Sequence, residues 1–250
     1  MKEIQSSSNS LVKHLIKLRD KRAYRYEKKY VLVEGLNLLK DLSKTIPFKT
    51  LIVRKGTTIP AAFSSDEIYI VSEAIFNKLS SVQHGEGFIA EIPMPDFNQN
   101  LQTEKVLILD GLQDPGNMGT LLRTALAFGW STVVFLEDTV DPFNEKAIRA
   151  AKGATFHLHL IFSTWERVIS LLQEKKFRLF IGDLEGVLPS EIKECGKPKA
   201  LLLNREASGL RREVSYAEKI FIPMDTQVES LNVAIAGGIL MYSLGDRSCG

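Results

Sequence analysis

Three polar segments in the second half of the chain carry residue types that can bind an anion or orient a reacting group. The segment DGLQDPGNMGTLLRTALAFG contains Asn117 and Arg123. LLLNREASGL contains Glu206, and SLNVAIAGG contains Ser230 and Asn232. A guanidinium beside the N-terminus of a helix binds phosphate well, and a carboxylate can orient that guanidinium. We take these five residues as candidates for a functional site.

Each segment also has a purely structural interpretation. The residues 114–117 have the composition of a tight turn, and Asn117 can cap the helix that follows. Arg123 can lie on the solvent face of that helix, and Ser230 and Asn232 are common residues at a helix start. The glycines of the first segment do not form G-x-G-x-x-G, and no Walker A lysine is present, so these two phosphate-binding motifs are excluded.

The position of the three segments favours a site, because the candidate residues of each lie in the loop after a short apolar run or at the helix that this loop enters. The apolar runs of this half of the chain are KVLILD, TVVFL, RLFIGD, KALLLN and KIFIPM. Helical patterns alternate with them and cover residues 119–128, 143–152, 164–175 and 230–244. This order predicts an α/β fold with a parallel sheet covered on both faces. Ligands on such sheets bind beyond the carboxyl ends of the strands, where all three segments are expected.

A smaller α/β unit is predicted before this domain. It contains a helix over 10–22, the strands YVLVE, TLIVR, EIYIV and GFIAEI, and helices in GLNLLKDLSK and SEAIFNKLS. The stretch PMPDFNQNLQTE is rich in Pro, Asn and Gln, which is typical of an interdomain connection. We place the first domain at 1–95, the linker at 96–104 and the second domain at 105–250.

Basic charge is concentrated at the start of the chain. Residues 1–30 contain nine Lys or Arg and three acidic residues, whereas the whole chain has a net charge of +2. In KHLIKLRDKRAYRYEKKY, basic residues and three tyrosines surround leucines at helical spacing. Phosphates attract basic residues, and exposed tyrosines can stack on unpaired bases, so structured RNA is the predicted partner. The alternative is a solvated basic helix without an RNA partner. The RNA-binding candidates here are Lys17, Lys21, Arg22 and Arg25.

Several classes of protein are excluded by composition. The two cysteines, Cys195 and Cys249, are too few for a disulfide framework or a zinc site, so we expect no metal and a cytoplasmic location. No apolar run is long enough for a signal peptide or a membrane span. His157 and His159 in FHLHL alternate along a predicted edge strand, and we leave them out of the site.

The three motifs together resemble a known family. N-x-G-x-x-x-R in NMGTLLR, E-x-x-G-L in EASGL, and IPM with SLNVAIA are similar to the motifs of the SpoU (TrmH-type) RNA ribose methyltransferases of the SPOUT superfamily. Residues 1–95 also resemble the family's small, ribosomal-protein-like substrate-binding domain. The resemblance implies methyl transfer from S-adenosylmethionine to a ribose 2′-hydroxyl of RNA, more in keeping with rRNA than with tRNA. It also implies a catalytic domain with a deep trefoil knot, and a homodimer with its site near the subunit interface.

The resemblance assigns roles to individual residues. Asn117 and Arg123 match the first motif, Glu206 the second, and Ser230 and Asn232 the third. The cofactor would be bound largely by backbone in the knot loops, and the candidates there are Leu203, Asn204, Arg205, Gly209, Ile222, Met224 and Leu231. Arg211 and Arg212 are further candidates for contact with RNA phosphate.

Two features leave alternatives open. The second motif commonly reads G-[SN]-E-G-x-G-L, whereas Asn204 and Ala207 replace glycines here, which bears on cofactor affinity. The chain is therefore also compatible with a noncatalytic RNA-binding protein, or with a SPOUT enzyme that methylates a base.

Arg123 is interpreted as a phosphate clamp and oxyanion stabiliser, because a guanidinium is a poor general base. The rival interpretation is that a deprotonated Arg123 is itself the general base.

Overall fold

The chain folds as two α/β units. The structure is a computed structural model, and it describes residues 1–83, 85–97, 100–101, 103–192, 196–204, 214–225 and 227–245. The first unit comprises Met1–Pro95 together with Phe143–Phe156, and the second comprises Asp96–Pro142 together with His157–Gly250. The segment Phe143–Phe156 lies within the range predicted for the second domain, 105–250, but it packs with the first unit.

The first unit contains a five-stranded mixed sheet in the order β1-β4-β3-β5-β2. β4 runs parallel to β1 and β3, whereas β5 runs antiparallel to β3 and β2. Its elements are β1 (Lys2–Ile4), α1 (Ser10–Asp20), α2 (Arg22–Lys28), β2 (Tyr30–Glu34), α3 (Leu36–Leu42), β3 (Phe48–Arg54), β4 (Ser65–Val71), α4 (Glu73–Leu79), β5 (Phe88–Pro93) and, from the inserted segment, α6 (Glu145–Ala151).

The helix predicted over 10–22 ends at Asp20 in the structure, and a second helix, α2, follows it. Lys21 is extended, with φ −116° and ψ 107°, and it separates α1 from α2. Arg25 of α2 is only 4% exposed and donates hydrogen bonds to the carbonyls of Leu18 (2.7 Å) and Arg19 (2.6 Å). These carbonyls belong to the last turn of α1, where no intrahelical donor is available. Arg25 therefore stabilises the helix break, and its buried, hydrogen-bonded side chain does not support the RNA-binding role predicted for it.

The second unit contains a six-stranded parallel sheet in the order β11-β9-β10-β6-β7-β8, which confirms the predicted α/β class. Helices alternate with the strands along the chain. The elements are β6 (Lys105–Asp110), α5 (Pro115–Ala127), β7 (Thr132–Phe135), β8 (His159–Phe162), α7 (Trp165–Glu174), β9 (Arg178–Val187), β10 (Lys199–Asn204), β11 (Glu218–Ile220) and α8 (Val233–Ser243).

Strand β8 lies at the edge of this sheet, and His159 is its first residue. The edge-strand interpretation of FHLHL holds for His159, whereas His157 precedes the strand. β11 is shorter than the predicted KIFIPM run and ends at Ile220. Pro223 has no backbone N–H to donate to a neighbouring strand, so the IPM segment is a loop.

Two buried donors fix the C-terminal end of α8. The indole Nε1 of Trp130 donates to the carbonyl of Met241 (3.1 Å), and the Nζ of Lys199 donates to the carbonyl of Leu244 (3.0 Å). The last carbonyls of a helix lack partners within it, and burial without a donor would cost free energy. Trp130 and Lys199 supply those donors. None of the helices in the described ranges is long and apolar enough to span a bilayer.

Candidate active site

The first polar segment forms the start of α5. Asp114 is the N-cap of this helix, and its carboxylate accepts a hydrogen bond from the backbone N–H of Asn117 (2.7 Å). Pro115 follows at the first helical position, where its missing N–H costs nothing. Asp114 thus performs the capping role that the sequence interpretation allowed for Asn117, and the side chain of Asn117 is available for another contact.

That contact joins the first polar segment to the third. The Nδ2 of Asn232 donates to the Oδ1 of Asn117 at 3.0 Å, although the two residues are 115 positions apart. Asn232 is also the N-cap of α8, because its Oδ1 accepts from the backbone N–H groups of Ala234 (2.9 Å) and Ile235 (3.4 Å). One side chain therefore starts α8 and fixes the position of that helix end against α5.

Arg123 lies on α5 but outside this contact. Arg123 is exposed, and its side chain makes no hydrogen bond or ion pair with any residue in the described part of the chain. Six helical positions separate it from Asn117, which is about 120° around the axis and about 9 Å along it. The guanidinium is therefore free to meet an external anion, and Asn117 and Arg123 would contact different parts of a ligand. Ser230 is exposed in the segment before α8.

Close packing around Gly237 brings α8 against α5 and the end of β10. A Cβ at Gly237 would lie 2.5 Å from Leu121 Cδ2 of α5 and 2.5 Å from Leu203 Cδ1 of β10. Glycine permits this approach without displacing either leucine side chain. In the sheet, Asn204 of β10 is in register with Asp110 of β6, so the second polar segment starts at the same edge as the first.

The loop after β11 presents main-chain donors near this edge. The backbone N–H groups of Ile222, Met224 and Leu231 donate to no acceptor within the residues that the structure describes, and all three residues are half-buried. Main-chain donors without a protein acceptor, on half-buried residues, can form hydrogen bonds to a bound ligand. The cofactor-binding role of Leu203, Asn204, Ile222, Met224 and Leu231 remains a prediction.

A neighbouring loop supports the start of α5, and the sequence analysis missed it. Gly111 has φ +67°, and its N–H donates to the hydroxyl of Thr139 (3.1 Å), which donates to the carbonyl of Leu109 (3.1 Å). Gln113 Nε2 donates to the carbonyls of Gly111 and Asp138. The buried hydroxyl of Thr139 thus holds the turn that leads into α5. The Asp-Pro pair at 114–115 is a helix-start signal that could have identified Asp114.

Several predicted residues lie outside the described ranges, so their roles remain predictions: Arg205, Glu206, Gly209, Arg211 and Arg212. In the first unit, Lys17 of α1, Lys21 between the two helices and Arg22 of α2 are exposed, as binding to RNA requires. Lys17 Nζ lies 5.6 Å from the ring centre of Tyr24, and the Arg22 guanidinium lies 5.5 Å from the ring centre of Tyr26.

The described side chains include no cluster that could hold a metal ion.

Two known domain families match the chain and define a methyltransferase with a separate substrate-binding domain. Residues 9–90 match the MRM3-like substrate binding domain, and residues 104–242 match the SpoU rRNA Methylase family. The chain belongs to the SpoU rRNA methylase family.

Relatives that match over the full length support this assignment. The 23S rRNA (guanosine(2553)-2′-O)-methyltransferase RlmP of Bacillus subtilis is 32% identical over 98% of this chain and 99% of its own. The crystal structure of an AdoMet-bound rRNA methyltransferase from Sinorhizobium meliloti is 26% identical, with a TM-score of 0.82 over 97% of each chain. A putative RNA methyltransferase of the TrmH family from Porphyromonas gingivalis gives 27% identity and a TM-score of 0.83, over 98% of this chain and 100% of its own.

The link between Asn117 and Asn232 can be tested separately from the cap of α8. Serine is as good an N-cap as asparagine, but its hydroxyl is too short to reach Asn117. Asn232→Ser should therefore keep the free energy of unfolding within about 0.5 kcal/mol and lower kcat/KM about tenfold through loss of one hydrogen bond. Asn232→Ala should lose the cap as well, at about 1 kcal/mol. Urea unfolding and methylation assays check both; equal activity of wild type and Asn232→Ser would show that the link does not matter.

Proposed function

We propose that the protein transfers the methyl group of S-adenosylmethionine to a ribose 2′-hydroxyl of ribosomal RNA. The observation that carries the proposal is the hydrogen bond between Asn117 and Asn232, because it joins the first and third polar segments at the carboxyl ends of a parallel sheet. The relatives support both halves of the reaction. The B. subtilis relative is named for 2′-O-methylation of 23S rRNA, and the S. meliloti relative binds AdoMet.

We propose that the main-chain donors of Ile222, Met224 and Leu231 bind the cofactor together with Leu203 and Asn204 at the carboxyl end of β10. Apolar side chains there would contact the adenine, and the N–H groups would donate to its ring and ribose. Arg205 and Gly209 are proposed to complete the site. When bound, S-adenosylmethionine supplies a methyl group that is electrophilic because it is attached to a sulfonium. What remains for the protein is to position the hydroxyl and stabilise its oxygen.

Arg123 is proposed to clamp the phosphate beside the target ribose and to stabilise the oxyanion that develops. Its exposed guanidinium can bind phosphate through two hydrogen bonds. Positioning of this kind contributes about 7–11 kcal/mol to barrier lowering. A phosphate oxygen or a water molecule would take the hydroxyl proton, because the guanidinium retains its own proton. Asn117, Glu206, Ser230 and Asn232 would orient the ribose and Arg123.

The exposed side of α5 and α8 supports a homodimer. Apolar side chains on this side face solvent, with Ile235 at 56% and Tyr242 at 71% exposure, next to Leu126, Phe128 and Ile239. The rings of Phe128 and Tyr242 pack against each other with centroids 5.5 Å apart. Contiguous exposed apolar surface of this kind marks an interface, and Arg123 is one helical turn from Leu126. We propose that a second copy covers this surface and places the site near the interface.

Two further properties follow from the family assignment. The last part of the second unit is proposed to form the deep trefoil knot of SPOUT enzymes, in keeping with the central position of the late strand β10 between β9 and β6. A cytoplasmic location is proposed, because rRNA is the substrate named for the relatives.

Mass spectrometry of modified RNA tests the reaction itself. Purified protein is incubated with S-adenosylmethionine and an unmodified transcript of 23S rRNA, which is then digested with nuclease. We expect one dinucleotide that resists cleavage, because a 2′-O-methyl group blocks attack on the adjacent phosphodiester. A methylated base would support the base-methylating alternative. RNA binding without any methyl incorporation would contradict catalysis and favour a noncatalytic RNA-binding protein.

Calorimetric titration with S-adenosylmethionine tests the departures at Asn204 and Ala207. We expect wild type to bind the cofactor with micromolar affinity, because the half-buried donors of Ile222 and Met224 are already in place. The matched variant is Asn204→Gly with Ala207→Gly, which restores the common glycines. Similar affinities would show that the departures are accommodated. Binding by the glycine variant alone would contradict our expectation and show that the two side chains close the pocket.

A further inference from the structure

The first unit contains a buried carboxylate, and its hydrogen-bond partners include both buried and exposed side chains. Glu91 is 1% exposed and lies in β5, between β2 and β3. It accepts hydrogen bonds from Thr50 Oγ1 (2.8 Å), His14 Nε2 (2.9 Å) and Lys49 Nζ (3.3 Å). Burial of a carboxylate is costly unless such partners are present. The apolar context of Glu91 in GFIAEI gave no sign of this cluster.

His14 links the carboxylate of Glu91 to the hydroxyl of Tyr24. The carboxylate of Glu91 only accepts, so the Nε2 of His14 carries the hydrogen of that bond. In the neutral imidazole the Nδ1 then accepts, and it lies 2.9 Å from the hydroxyl of Tyr24. The two rings also meet edge to face, with centroids 5.6 Å apart. Glu91 and His14 therefore fix both the hydroxyl and the ring plane of Tyr24.

Two lysines from different helices form cation–π contacts with the ring of Tyr24. Lys17 of α1 and Lys28 of α2 place their Nζ atoms 5.6 Å and 5.5 Å from its centroid. An ammonium at this distance is attracted by the ring. Lys28 also pairs with the exposed Glu27 at 2.9 Å, and this hydrogen bond raises the pKa of Lys28. Lys17 forms no ion pair with a described residue. Two exposed positive charges are thus held on one fixed ring.

We propose that Lys17 and Lys28 bind the phosphate backbone of the RNA substrate, and that Tyr24, His14 and Glu91 are positioning residues for this site. The inference rests on the proposed function, since it specifies where the first unit contacts RNA. Lys21 and Arg22 lie between the two lysines in sequence and are also exposed, so they add positive charge to this part of the chain. Phosphates pair with such charges, and pairing releases their counterions.

The charges are tested by the salt dependence of RNA binding. Affinities for an unmodified 23S rRNA transcript are measured from 50 to 300 mM KCl, roughly the range over which phosphate contacts dominate. Lys17→Gln and Lys28→Gln should each reduce the slope of log K against log[salt] by about 0.7–0.9. Lys40→Gln, which removes an exposed lysine from α3, is the matched control. Slopes for Lys17→Gln and Lys28→Gln equal to that of Lys40→Gln would overturn the proposal.

The positioning role is tested without changing charge. Tyr24→Phe keeps the ring and removes the hydrogen bond to His14. It should raise KM for RNA about two- to fivefold while kcat and the affinity for S-adenosylmethionine stay unchanged. His14→Gln should act in the same way, and the double variant should be no worse than either single one. Unchanged KM in both single variants, or a fall in kcat alone, would contradict the positioning role.

These measurements separate the inference from the proposed function. RNA binding and its salt slope can be read in a protein that transfers no methyl group, so failure of catalysis leaves the test intact. If wild type methylates rRNA and the lysine variants bind RNA normally, the proposed function stands and this inference fails.

Discussion

Replacement of Arg123 with alanine should lower kcat for RNA methylation by about 10²- to 10³-fold, the usual cost of losing one group that stabilises a developing oxyanion. Arg123 is exposed on α5 and forms no ion pair with the described residues, so the change should not disturb folding. Affinity for S-adenosylmethionine, measured by calorimetry, should be unchanged, because the proposed cofactor residues lie on other loops. The rate is measured with saturating RNA and cofactor.

Arg123→Lys distinguishes a bidentate clamp from a simple positive charge. Lysine keeps the charge but cannot form two parallel hydrogen bonds with one phosphate, so we expect at least a tenfold fall in kcat, about 1.4 kcal/mol. Arg167→Ala is the matched control, since Arg167 is an exposed arginine on α7 of the same unit. Nearly full turnover by Arg123→Lys at saturating RNA would contradict the clamp.

Gly237→Ala should destabilise the protein by about 1–3 kcal/mol through overpacking. The new Cβ would lie 2.5 Å from both Leu121 Cδ2 and Leu203 Cδ1, and these leucines are themselves buried between α5, α8 and β10. Both side chains would have to shift, and Leu203 is a proposed cofactor residue. Affinity for S-adenosylmethionine should therefore fall together with the free energy of unfolding in urea.

The next residue provides the control. A Cβ at Gly238 would meet Thr124 Cγ2 at 3.6 Å, an ordinary van der Waals distance. Gly238→Ala should leave stability unchanged or raise it by up to about 1 kcal/mol, since alanine favours a helix interior over glycine. If Gly237→Ala were as stable as Gly238→Ala, the close packing of α8 on α5 would not restrict the size of the side chain at position 237.

The local pattern of the sequence predicted the central strands and part of the site well. β6 and β10 have the bounds of the apolar runs KVLILD and KALLLN, because a strand buried on both faces reads as an uninterrupted apolar run. The rule that ligands bind at the carboxyl ends of parallel strands placed Asn117 and Asn232 at one edge, and the structure joins them by a hydrogen bond.

Features that depend on distant parts of the chain could not be predicted in this way. The burial of Arg25 and Glu91 follows from which carbonyls and side chains surround them in the folded unit, and their neighbours in sequence do not reveal it. Likewise, the helical pattern at 143–152 correctly indicated a helix, now α6, but not the unit on which it packs. The three-residue strand β1 is too short to produce a periodic signal.

The inserted segment Phe143–Phe156 makes the first unit discontinuous, which limits how it can be exchanged during evolution. The chain passes between the units at three points, after Pro95, before Phe143 and after Phe156. A recombination event that transferred residues 1–95 alone would leave behind α6, whose Ala147 and Ile148 are buried and whose contacts include β2. The recipient would inherit a sheet with part of its apolar cover missing. We therefore expect α6 to co-evolve with β2, and a transferred segment of residues 1–95 to keep its sheet covered only where the recipient supplies a helix equivalent to α6.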